Sequence, residues 1–91
     1  MVPDLATAVA TELELRAELA GLVQRSRALR DEAAALRRRA ALAGADPRVP
    51  QAADRLEAEA SRLDGEVEPL RLRVRQAEGA VALLRAEALG A

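Results

Sequence analysis

Six arginines crowd one stretch of this chain, Arg25, Arg27, Arg30, Arg37, Arg38 and Arg39, and the last three are consecutive. Guanidinium groups in such a run make strong paired hydrogen bonds to phosphate oxygens, so the chemistry they could do is binding of nucleic acid or another anionic surface. Arg37, Arg38 and Arg39 are the candidate anion-binding residues. Two features count against that reading. The sequence has no Phe, Tyr or Trp to stack on bases, and its net charge of −1 is not that of a chain built to coat a polyanion. All 14 basic residues are arginine, and Lys, Asn, Ile, Phe and Tyr are absent together, which is what a GC-rich coding sequence produces without selection for arginine chemistry.

Other chemistry finds few residues. There is no His and no Cys, so transition metals lose their usual ligands and a disulfide framework is impossible. No nucleophile stands with a partner base, and no glycine-rich phosphate loop or metal-spaced cluster occurs; we therefore assign no catalytic, cofactor-binding or metal residue and expect no cofactor. Glu12 and Ser26 interrupt an otherwise apolar ladder, described next, and a polar residue at such a position can fix helix register.

The elements that carry these residues are helices. Leucines recur every seventh position at Leu15, Leu22, Leu29 and Leu36, and a second ladder runs Leu56, Leu63, Leu70 and Leu84, with Ala77 on the missing rung. The first heptad repeat places Leu5, Glu12, Leu19, Ser26, Ala33 and Ala40 at position a and Ala8, Leu15, Leu22, Leu29, Leu36 and Ala43 at position d. The second places Ala53, Ala60, Val67, Val74, Val81 and Ala88 at a, with the second leucine ladder at d. Pro3 and Asp4 suit a helix start, and Gly44 suits a left-handed helix end before Asp46, Pro47 and Pro50. The spacing predicts one domain over 1–91: a helix over about 4–43, a turn at 44–50 and a helix over about 51–89, with the start of the second helix open between Pro47 and Pro50. Pro69 lies inside the second helix, where it removes a backbone hydrogen bond, so a kink is expected near it. A break at Asp64–Gly65 is the competing reading.

Charge says how the helices pair. In the first helix the early half is acidic (Glu12, Glu14, Glu18) and the late half basic; in the second, the early half holds Asp54, Glu57, Glu59, Asp64, Glu66 and Glu68 and the late half Arg71, Arg73, Arg75 and Arg85. An antiparallel hairpin sets opposite signs side by side, and residues equidistant from the turn come level. It predicts the pairs Arg37–Glu57, Arg30–Asp64, Arg16–Glu78, Arg25–Glu66 and Glu18–Arg73, leaves Glu32 facing Glu59, and puts Glu12 near water or Arg85. The fold class expected is thus all-α, an antiparallel coiled-coil helical hairpin.

A two-helix seam of Leu, Val and Ala is thin for a chain of 91 residues. A second apolar set lies off the seam toward the termini: Val9, Leu13, Val23, Leu72, Leu83 and Leu89, with Ala20 between them. These form the expected interaction surface, on which two hairpins meet as a homodimer in a four-helix bundle. The first functional reading is therefore a structural or protein–protein interaction module, a scaffold or adaptor, open also to an unidentified protein partner, and not an enzyme. An arginine-dependent binder of nucleic acid or an anionic surface stands second. In size and helicity the chain is similar to the AroQ-type chorismate mutases, small all-helical dimers that use arginines and a glutamate in the bundle. That resemblance implies a small enzyme as a third reading and carries no site residue over. No apolar run is long enough to span a membrane, and Asp4 stands where a secretory signal would be positive, so a cytoplasmic protein is expected.

Overall fold

A computed structural model describes residues 4–44 and 46–90. Two helices, α1 (Leu5–Ala43) and α2 (Arg48–Gly90), fold back on each other as a hairpin about 71 Å long and 17 × 14 Å across. No strand occurs among the described residues.

Asp4 caps α1: its carboxylate accepts from the Thr7 backbone N–H at 2.7 Å, satisfying one donor left unpaired at a helix start. The same bond holds the Asp4 carboxyl below its ordinary value. Pro3, expected beside it, lies outside the described residues. Gly44 ends α1 with φ +73° and ψ 163°. That is not the left-handed helical cap the sequence suggests but an extended conformation of positive φ, which is open to glycine because it has no Cβ.

The turn is also shorter than expected. α2 begins at Arg48, beside Pro47, the earlier of the two possible starts, because Pro47 and Pro50 both fall where a missing N–H would have had no helical acceptor. Asp46 closes the gap by accepting from the Arg48 backbone N–H at 3.0 Å and pairing with the Arg48 guanidinium. Those two contacts, the side-chain one first, hold the Asp46 carboxyl below its usual value. From Arg48 the helix runs unbroken through Gly65 and Pro69, so the three-helix alternative does not occur.

The heptad positions form the seam. Among the buried residues are Ala8, Leu15, Leu22, Ser26 and Ala33 of α1, and Ala53, Ala60, Leu63, Val67, Leu70, Val74 and Val81 of α2. Leu5, Glu12, Leu19, Leu29, Leu36 and Ala40 are half-buried, as are Leu56, Ala77 and Leu84; the side chain of Ala43 lies outside the described ones. Ala88, at the open end, is exposed. Alanines and leucines divide the seam along its length. Ala33, Ala53 and Ala60, toward the turn, are completely covered, whereas no Leu or Val among the described residues is fully buried. The core cluster of Leu15, Leu22, Leu63, Val67, Leu70 and Val74 occupies the middle.

Candidate interaction surface

Three of the five expected interhelical ion pairs form, and all three lie on one side of the seam. Arg16 meets Glu78 at 2.5 Å, Arg30 meets Asp64, and Arg37 meets Glu57 at 2.9 Å. These are e positions on both helices, which an antiparallel pair brings face to face. Arg37 also reaches Asp54 at 2.6 Å, one turn before Glu57 on α2. Level alone did not reveal that second partner, but the i, i+3 spacing of the two acids could have. The hydrogen bond from Arg37 keeps the Glu57 carboxyl below its ordinary range, while Glu57 first and Asp54 second push the Arg37 guanidinium further up.

Ser26 is buried in the seam, and its hydroxyl donates to Asp64 Oδ1 at 2.5 Å and approaches the Ala60 carbonyl at 3.4 Å. Asp64 accepts from Ser26 and from Arg30, in that order of effect, and its carboxyl is held below the usual aspartate value. The polar residue on the ladder is therefore tied to one acid on the facing helix. Glu12, the other polar rung, pairs with Arg16 at 3.7 Å along its own helix, not with Arg85.

On the opposite, g, side the two remaining expected pairs do not form among the described residues. Glu18, Arg25, Glu66 and Arg73 instead surround a groove floored by Leu22, Pro69 and Leu70. Glu59 pairs with Arg62 on its own helix at 3.1 Å, and Glu32 and Glu59 line one groove. In the arginine run Arg37 is occupied by its two acids, and Arg38 and Arg39 are exposed.

The apolar set separates into two groups. Val9 and Val23 are half-buried, and Val23 packs on the core cluster, because e positions flank the seam. Leu13, Leu72, Leu83 and Leu89 stand 59, 51, 62 and 90% exposed. Leu42, which the sequence reading left out, is 89% exposed beside the turn; its outward c position was the available signal. Ala20 is exposed as well. Among the described residues no three potential ligands gather to hold a metal ion, and no helix is long and apolar enough to cross a membrane.

Comparison with protein-family models, curated proteins and solved structures finds no match to this chain.

Proposed function

We propose that this chain is a structural, protein-interaction hairpin that self-associates in the cytoplasm, two copies joining near their open ends into a four-helix assembly that serves as a scaffold or adaptor. One observation carries the reading: every Leu and Val of the seam stays partly wet, while Leu13, Leu72, Leu83 and Leu89 lie at least half exposed toward the open end. Covering these leucines removes apolar area from water, and a second copy presents the same area in return. Light scattering across a dilution series tests this. The expected mass is twice 9.7 kDa at high concentration, falling toward 9.7 kDa on dilution; a fully helical, concentration-independent monomer overturns it.

The second reading, binding of a polyanion, rests on Arg38 and Arg39, exposed beside Arg37 at the turn end of α1. It requires binding to duplex DNA that weakens steeply with salt and disappears when Arg37, Arg38 and Arg39 are replaced by alanine.

A further inference from the structure

The outward face of a helix in a hairpin is where charge is ordinarily densest, because those positions see only water. The first half of α2 follows the rule along its c row, Arg48, Arg55 and Arg62, although its f row, Gln51, Ala58 and Gly65, is uncharged. The second half breaks it. Leu72, Gln76, Gly79, Leu83 and Ala86 succeed one another at the outward c and f positions, all exposed and none charged. Three- and four-residue steps put them on one face. Gly79, at the centre, is a helix-weakening residue with nothing within 4 Å of where a side chain would sit, as holds also at Gly21 and Gly65; what sets it apart is its place between Leu72 and Leu83. Inside one hairpin nothing requires it to be glycine.

We infer that this stripe is the contact made by a second copy of the chain, the two α2 helices crossing antiparallel about a two-fold axis at Gly79. The inference rests on the self-association proposed above and names its geometry. Glycine at the crossing lets the axes approach to the close end of the usual helix–helix range, about 8 Å. The antiparallel two-fold sets Leu72 level with the partner's Ala86 and Leu83 within one residue, about 1.5 Å, of the level of the partner's Gln76, so each large side chain meets a smaller or unbranched one. The g rows on one flank then come together. Arg73, in no ion pair among the described residues, lies within about 3 Å along the axis of the level of the partner's Glu87, also in none among them, and symmetry makes the contact twice. A parallel crossing would instead bring the Arg73 flank of each copy against the partner's Arg75, on the b row. The seam of each hairpin faces away from the stripe, so the assembly is layered, with the two α2 helices inside and the two α1 helices outside; of the four leucines exposed toward the open end the contact covers Leu72 and Leu83 and leaves Leu13 and Leu89 outside it.

The absence of cysteine makes the test direct. Single Gly79→Cys, Leu72→Cys, Leu83→Cys and Leu13→Cys chains are oxidised and run without reductant, alongside light scattering of the unmodified protein. Only at the axis do identical residues come within disulfide reach; a cysteine there widens the crossing from about 8 Å toward about 10 Å, still within the usual range, and keeps its twin the nearest of any, so Gly79→Cys should be mostly covalent dimer. Leu72→Cys, whose twin is about 21 Å away along the axis, should stay monomeric on the gel, as should Leu83→Cys and the α1 variant. Arg73→Glu should weaken the dimer roughly tenfold in Kd, and adding Glu87→Arg should restore it. If the unmodified protein is dimeric but Leu13→Cys cross-links and Gly79→Cys does not, the stripe is wrong and self-association stands. Cross-linking of Leu72→Cys overturns the antiparallel crossing, and a monomer in scattering overturns both proposals.

Discussion

Replacing Ala60 with leucine extends the leucine ladder, and in an ordinary zipper it would add stability. Here it should do the opposite. Ala60 is completely covered, as are Ala33 at the same level of α1 and Ala53 one heptad nearer the turn. The Ser26 hydroxyl lies 3.4 Å from the Ala60 carbonyl, so α1 side chains already reach the α2 backbone at this level. Three extra carbons have no space and must push the helices apart or leave their rotamer wells. Overpacking of this kind costs about 1–3 kcal/mol net. At about 4–8 °C per kcal/mol for a domain of this size, the melting temperature should fall by roughly 5–20 °C. Ala77→Leu is the control of opposite sign. Ala77 is half-buried against the core cluster opposite Leu15, and a leucine there covers apolar area without a clash, for a gain of about 1 kcal/mol. Thermal unfolding followed by helical circular dichroism measures both, at one fixed chain concentration because association shifts apparent stability. A higher melting temperature for Ala60→Leu, or equal gains at both sites, refutes the close approach near the turn.

Leu22→Ala, at a position 5% exposed in the middle of the core cluster, should cost about 2–3 kcal/mol, the low end for such truncations because the void opens toward solvent; urea unfolding with a lowered midpoint and unchanged slope is the check. Acid should destabilise the hairpin. Asp64 and Glu57 titrate below their ordinary values of 3.8 and 4.5 when folded, so their stabilising effect is complete above those values and is lost as pH falls through the lower folded ones. Melting temperature should be flat between roughly pH 5 and 7 and decline below about pH 4, and Asp64→Asn should flatten that decline; a rise on acidification contradicts the assignment. Arg37→Glu sets a carboxylate against Asp54 and Glu57 and should fray the turn end first, seen as faster amide exchange at the C-terminal turn of α1 than near Leu22.

The hairpin was readable because the heptad spacing and the charge halves state the same pairing independently, and every described rung except Ala88 is covered as that pairing requires. Side-chain reach was not readable. Levels along the axis put Arg25 beside Glu66 and Glu18 beside Arg73 as firmly as Arg37 beside Glu57, yet only the e side closes its pairs. Exposed pairs are worth so little that level does not decide contact. Val23 looked like surface because it is neither a nor d, and a flanking position next to a thin seam is drawn halfway into it. The Ser26–Asp64 bond was hidden because a serine on the ladder says that a partner is needed without saying which acid supplies it.

The Arg37 clamp spans only 17 and 20 residues of chain to Asp54 and Glu57, whereas Arg16 and Glu78 are separated by 62. Closing a short loop surrenders less chain entropy than closing a long one. The hairpin should therefore nucleate where the tightly fitting alanines meet and zip outward, with the ends nearest the termini joining last. A refolding chain then holds its turn together before its open end has any form, and the self-association proposed above, if it joins the open ends, is the final and concentration-dependent step of its folding.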